Sequence, residues 1–418
     1  DAENRRSGRV AGTHRSRDEG YSVLIEFHII QNHSPANLNR DETGTPKSCL
    51  FGGVQRARIS SQCLKRSIRK GDCFERALSE ARIPLGTRTR KLPTLVGERV
   101  EAELLQEGVA PLLASELRIV AEDKASGFGN EKGKEQRRED DHAPRTAQTM
   151  FLTADDVEAV ACVIAAGALE LARENPEKAV EALAKVKAAD LQDDPELKHR
   201  RPVTVDVALF GRMVTSPAFE DVEASIQVAH AISTHRVEFE FDYFTAVDDL
   251  AGSDGRDDTG ADMLGEVEFT SACFYKYFSL DTDELARNLD KADEILAVVV
   301  PAFLEAAVLT NPSGKQNSFA AHNLPSVVLV EARPYPQPLS YANAFETPVR
   351  GGGLVNESVA ALVKHVERVN AVYEPETEAR FWLSLDGHPA PEGVQAVSRL
   401  GELKERVRAL LKPGGKAE

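Results

Sequence analysis

The chain of 418 residues sets 51 Lys and Arg against 67 Asp and Glu, a formal net charge of −16, with 42% hydrophobic residues. That length buries a core easily in one elaborated domain or a few modules. The charge argues against indiscriminate binding to DNA or anionic membranes, and no apolar run is long enough to span a bilayer. The five cysteines (Cys49, Cys63, Cys73, Cys162 and Cys273) form no C-x-x-C pair and have no His at zinc-finger spacing, so they read as reduced thiols in a cytoplasmic protein with no metal site.

In chain order, residues 1–20 carry charges without an apolar stretch; they are no secretory signal and read as a flexible basic tail. YSVLIEFHII (21–30) alternates as a strand does. Asn37–Lys70 then holds eight Lys or Arg against two acids, a basic island in an acidic chain. Ser60 and Ser61 are good N-cap residues for the helix that follows. On that helix Gln62, Lys65, Arg66, Arg69 and Lys70 share one arc, and Leu64 and Ile68 point the other way. A cationic face with a helix N-terminus suits phosphate. Upstream, Gly52-Gly53 lets backbone approach a ligand closely, and Arg56 and Arg58 alternate into Ile59.

From about residue 75 to 200 the composition turns helical, at 98–106, 154–174 and 177–189. Between these lies 122–146, dense in charge and glycine, which reads as a mobile loop. The region reads as a helical insertion outside the sheet, and Lys178, Lys185 and Lys187 give it a modest basic feature. Strand patterns return in VTVDVALFG (203–211), with Val203, Val205, Val207 and Leu209 on one face, and in SIQVAHAIST (225–234), where the Ala content also permits a helix. GEVEFTSACFYKYF (265–278) alternates, 282–309 reads as one long helix, SVVLVE (326–331) as a short strand, and helices near 355–370 and 397–411 close the chain.

Without the insertions the order is β-α-β-β-α-β, an α+β fold of the ferredoxin-like, RRM type, which exposes one sheet face to single-stranded RNA. From Glu238 to Glu268 an arm carries eleven acids and one Arg, so it repels phosphate over most of its surface. Tyr243 and Phe244 in it either stack on bases or wedge between them, or pack the hairpin base. No constellation demands catalysis, and GFGNEKGKE lacks the ending of a P-loop. Asp41 and Glu42 can hold Mg²⁺, although ion pairs with Arg40 or Lys47 are the simpler use of them.

HSPANLNRD (33–41), FGGVQRARISSQCLKR (51–66), GRMVTSPAFEDVEASIQVAHAISTH (211–235), YFTAVDDL (243–250) and PLSYANAFE (338–346) together resemble the CasC family, the repeated backbone subunit of type I-E CRISPR Cascade. The resemblance implies a hand: an RRM-like palm (21–74, 201–235 and 265–418, the last with the C-terminal helices), helical fingers (75–200) and a β-hairpin thumb (236–264). It implies a non-catalytic scaffold with no cofactor. Copies of the chain would polymerise along a CRISPR RNA, beside other Cascade subunits, and present the guide in segments to a target DNA strand. Palm contacts to RNA would come from Arg40, Lys47, Ser60, Gln62, Lys65, Arg66 and Arg69. Met213 would back a kink made by Tyr243, Phe244 and Thr245, with Tyr243 standing where the family often carries Trp. Lys178, Lys185 and Lys187 would be target-DNA contacts or plain surface lysines. GKQN (314–317), Ser340 and Asn343 would lie at the palm rim or at a subunit contact. An RNA-cleaving subunit using Asp41 and a general single-strand RNA binder are the alternatives.

Overall fold

The computed structural model describes residues 23–129, 144–199, 201–246, 263–290 and 293–411. The basic tail, most of the loop expected at 122–146 and the tip of the thumb lie outside them.

The alternation in the first strand is real and longer than the sequence suggested. β1 (Leu24–Ala36) sends Ile25, Phe27 and Ile29 into one core and Ile30 into another. A hairpin of β2 (Ser48–Phe51) and β3 (Val54–Ile59) follows, then α1 (Ser61–Arg69) and α2 (Asp72–Glu80). The region expected to form the fingers holds β4 (Thr87–Thr89), α3 (Leu92–Gln106), α4 (Pro111–Ser126), β5 (Met150–Leu152), α5 (Ala154–Glu174), α6 (Ala179–Lys185) and α7 (Ala188–Gln192). Next come α8 (Val205–Phe210), β6 (Ile226–Val228), β7 (Ala231–Ser233), β8 (Glu240–Ala246) and β9 (Met263–Asp281). The chain ends with α9 (Thr282–Asn288), α10 (Asp293–Leu309), α11 (Gln316–Phe319), β10 (Val327–Arg333), α12 (Leu354–Tyr373), β11 (Ala379–Ser384), β12 (Gln395–Val397) and α13 (Leu400–Leu410).

One large mixed sheet runs in the order β12-β11-β10-β1-β9-β7-β3-β2, with β6 and β8 also paired to β9. β1 lies antiparallel between β10 and β9. On one face Phe27, Phe278 and Val330 pack against Ile68 of α1, Phe74 of α2, Phe303 of α10 and Leu403 of α13. On the other, Tyr275, Tyr277 and Leu329 are covered by Leu362 and Val366 of α12 and by Tyr341 and Phe345. The open sheet face expected of an RRM-type fold is therefore closed here, because α12 and the 338–346 segment carry enough apolar surface to bury it. The region from α3 to α6 encloses a separate core of Val96, Leu117, Phe128, Ile164 and Leu183. Since α2 belongs to the main core, that unit begins after it.

Several expectations need correction. The period-2 pattern at 203–209 forms α8, not a strand. Val205, Asp206, Val207, Ala208 and Leu209 are all buried, so the burial surrounds a short helix instead of marking one face. The strand read over 226–234 is split into β6 and β7, which pair with different stretches of β9. The single helix read over 282–309 is two, α9 and α10, with Asp290 at φ 54° between them. The helix read at 177–189 likewise divides into α6 and α7. The loop expected from residue 122 does not begin there, and residues 130–143 lie outside the described residues. α4 continues to Ser126 and buries Ala125, and Phe128 is buried beyond it.

β9 has the most bearing on function. Its first part, Met263–Phe269, pairs with β8 as the arm, and its later part pairs with β1 in the sheet centre. One continuous 19-residue strand thus carries the arm out from the core, and the hairpin reaches Phe269, beyond the expected limit of 264.

Candidate nucleic-acid interface

Ser60 caps α1 as expected, its hydroxyl accepting from the Cys63 amide at 3.3 Å. Asn39 Oδ1 accepts from the Ser60 amide at 2.8 Å and so fastens the 37–47 loop to the helix start. The loop is braced internally. The Asp41 carboxylate accepts from the amides and hydroxyls of both Thr43 and Thr45 at 2.7–3.1 Å. Those hydroxyls hold its pKa down at about 2. Asp41 therefore makes neither of the ion pairs expected with Arg40 and Lys47; the nearer threonines take all its acceptor capacity.

A cleft opens between this loop, the α1–α2 corner and the segment after α10. Arg40, Glu42, Cys63, Arg66, Asn311 and Gly314 are among its lining residues. Gly314 packs so closely that a Cβ there would sit 2.4 Å from the Leu38 carbonyl, and with Ser313 it forms one wall. Arg40 and Arg66 are exposed, and neither has a carboxylate partner among the described residues. The cleft is not uniformly cationic. Arg40, Arg66 and Lys70 face Asp41, Glu42 and Asp72, and Lys70 is already paired to Glu75 at 2.7 Å.

The structure divides the other predicted contacts. Gln62 is exposed on α1, and Lys65 is half-buried with its ammonium 6.0 Å from the Phe210 ring centre; burial lowers its pKa. Lys47 lies across the loop from the cleft. Beside it Arg58 donates to His230 Nδ1 at 2.9 Å, and burial followed by the charges of Arg58 and Lys47 lowers the His230 pKa. Arg69 does not join the cationic face. It is buried, its Nε donating to Asp206 Oδ2 at 2.8 Å and its Nη2 to the Gly86 carbonyl at 3.1 Å. A helical wheel places Arg69 on the arc of Arg66, but α8 and the chain at Gly86 cover the end of that arc. Gly52 likewise serves the fold. At φ 59°, a Cβ on it would sit 1.7 Å from the Glu346 carbonyl, so the close approach is to the 338–346 segment and not to a ligand. Arg56, buried, donates to carbonyls of Phe51, Ser233, Phe345 and Glu346 in the same joint.

Met213 is 91% exposed at the turn after α8, so it is no core filler. On the arm Tyr243 is 73% exposed, with Phe241, Phe244 and Thr245 also exposed. Phe244 pairs across with Gly265, and its ring fills the place of the missing side chain. Tyr243 and Phe241 stand on the opposite face, across from Glu266 and Glu268. Lys178, Lys185 and Lys187 are exposed on the fingers, with Lys185 paired to Glu181 at 2.6 Å. Ser340 and Asn343 are exposed on the covered side of the sheet.

Sequence reading missed the buried network of Glu26, His28 and Glu331, whose ligand atoms lie within 4.8 Å of one another. Arg333 bonds both acids and Arg380 lies 2.9 Å from Glu331, so the carboxylates are already neutralised. Burial would raise the Glu331 pKa, but His28, Arg333 and Arg380 bring it down to about 2. This cluster ties β1 to β10, and it has the character of a structural network.

No helix among the described residues is long and apolar enough to cross a membrane. No curated protein matches the chain. Its structure is similar to that of a subunit of a "CRISPR RNA-guided surveillance complex, pre-nicking", with 27% identity and a TM-score of 0.74 over 93% of this chain and 100% of the other. A subunit of a second "CRISPR RNA-guided surveillance complex" shares the fold at 22% identity and a TM-score of 0.65, over 92% and 99%. The sequence model of one family, described as CT1975-like protein, matches residues 25–409. The resemblance to CasC-type Cascade backbone subunits thus holds along the whole fold, and the chain belongs to the CT1975-like family.

Proposed function

We propose that this chain is a guide-RNA-binding backbone subunit of a CRISPR surveillance complex, acting without catalysis. The observation that carries the reading is the α1 cleft. It joins exposed Arg40 and Arg66, which have no carboxylate partner among the described residues, to a capped helix start and a tightly packed loop wall. Such groups hold phosphates without reading sequence, and the reading of the guide falls to base pairing.

The strand order β10-β1-β9-β7, with α1 and α10 on one face, is the pattern of a βαββαβ unit and supports an RRM-like palm. Because α12 covers the other face, RNA would run along the α1 edge and not across the sheet. The arm on β9 supports a thumb. Its exposed Tyr243 and Phe244 offer planes on which bases stack, worth about 1–3 kcal/mol each, and its acidic stem suits a cationic palm on a neighbouring copy. A row of copies would divide the guide into segments for a target DNA strand, beside the other subunits of the complex. Asp41, held by two threonines, braces the loop that forms one wall of the cleft.

The test is Arg40→Glu with Arg66→Glu, coexpressed with guide RNA and partner subunits. Copurifying RNA should fall to background while the melting temperature stays near wild type, since both residues are exposed. Full RNA retention would overturn the assignment of the cleft.

A further inference from the structure

Five cations are buried in the described structure: Arg56, Arg69, Arg212, Arg333 and Lys276. Four have evident partners. Arg56 takes backbone carbonyls, Arg69 takes Asp206, Arg212 takes Asp156, and Arg333 takes Glu26 and Glu331. Lys276, 1% exposed in the part of β9 that pairs with β1, has no carboxylate within ion-pair distance among the described residues. A buried charge without a counter-charge is costly, so Lys276 needs a physical reason that the other four do not.

Its position supplies one. Side chains of β9 alternate, and Lys276 shares a face with Phe274 and Phe278. Phe274 packs in the cluster that contains Leu64 of α1, and Phe278 in the one that contains Ile68 of α1. The lysine therefore lies under α1 between those contacts. Cys63 of α1 stands beside it and also lines the cleft; burial pushes the Cys63 thiol up, so it is neutral and supplies no counter-charge. At the cleft surface three cations face three acids, so a further cation beneath it would add to the pull of Arg40 and Arg66 on an anion.

We infer that Lys276 is a positioning residue that gives the α1 cleft its net positive potential from below, and that an RNA phosphate in the cleft is its missing counter-charge. The inference rests on the RNA-binding reading above and adds a proton-linked element to it. A charge under a low-dielectric floor is poorly screened and acts through it. Free of RNA, burial holds the Lys276 pKa at about 8. From β1 it faces His33, kept neutral by burial and then by Lys276 itself, with a pKa of about 3. From α1 it faces Cys63, beyond which stand Lys47 and Arg66. A bound phosphate favours the ammonium, so RNA binding takes up protons near pH 8, and affinity falls as pH rises through that value.

The experiment measures binding of a short fluorescein-labelled single-stranded RNA to the full chain between pH 7 and 9, for wild type and Lys276→Met. Wild-type affinity should fall with rising pH. The variant, which keeps the length and apolar shape of the side chain, should melt at or above the wild-type temperature, bind about tenfold more weakly at pH 7, and show a flat pH profile. Should Lys276→Met fail to fold, calorimetry of the wild type in buffers of different ionisation heat replaces it, with an expected uptake approaching about half a proton at pH 8. A wild type that binds RNA with no pH dependence and no proton uptake, or a folded variant that binds as wild type does, overturns the inference alone. A wild type that binds no RNA overturns the RNA reading as well.

Discussion

Replacing Asp206 with alanine tests whether Arg69 belongs to the fold or to the RNA. Asp206 is fully buried and accepts from Arg69 Nε and from the Gly86 amide, both at 2.8 Å. Arg69 closes the joint by donating to the Gly86 carbonyl and lying 4.6 Å from the Phe151 ring centre. Asp206→Ala leaves a buried guanidinium without its anion, which costs about 3–5 kcal/mol. It also leaves a buried amide without an acceptor, worth about 1–3 kcal/mol. The two overlap in one site, so the expected loss is about 4 kcal/mol, read from urea unfolding with an unchanged m value. Arg69→Met combined with Asp206→Leu should recover most of it, because neither charge is then stranded. A loss below about 1 kcal/mol would refute the reasoning. Arg69 would then leave its site at little cost, and the place on the phosphate-binding face that the helical wheel assigns it would stand.

Glu331→Gln should destabilise the chain by about 3 kcal/mol at neutral pH, since it leaves Arg333 and Arg380 under-compensated. The folded-state pKa of Glu331, about 2, lies below its ordinary 4.5, so its contribution is complete above pH 4.5 and is lost as pH falls toward 2. Acid unfolding followed by circular dichroism should lose that limb in the variant. Gly52→Ala should cost more than 1 kcal/mol, and clearly more than Gly53→Ala, because only the former meets the Glu346 carbonyl; thermal melts of the two compare them. Phe244→Ala and Tyr243→Ala should each weaken RNA binding by about 1–3 kcal/mol in an equilibrium titration, and only Phe244→Ala should also loosen the arm at Gly265, seen as faster amide exchange. Asp41→Ala should leave complementary RNA uncut in the presence of Mg²⁺, as wild type does; regularly spaced cuts by the wild type that vanish in the variant would favour the cleaving alternative.

Local signals were the most legible. α5 begins and ends where its composition says, with Thr153 and Asp156 forming a reciprocal cap. Ser60 caps α1, and Leu64 and Ile68 are buried as their spacing demands. What failed was decided by tertiary contacts. Alternating valines at 203–209 look like a strand until the elements packed on every side of α8 are known. Arg69 and Gly52 look like ligand-facing residues until Asp206 and Glu346 arrive from about 140 and 290 positions away. β11 and β12, short and paired at the sheet edge, carry too little pattern to be read alone. Of the site, the exposure of Arg40 and Arg66 was legible in the sequence, whereas Tyr243 and Phe244 were left between two readings, and the structure exposes both while packing the Phe244 ring over Gly265. The closed sheet face was not, because it depends on α12 packing over strands distant in the chain.

The most direct test of the central claim is to sequence and footprint the RNA that copurifies with the chain and its partner subunits. The account predicts guide RNA of one defined length, protected along its backbone, with accessible nucleotides at a regular interval where each thumb crosses, and loss of that RNA in Arg40→Glu/Arg66→Glu. Absence of RNA from the intact complex, or RNA of mixed length with no periodic protection, would contradict it.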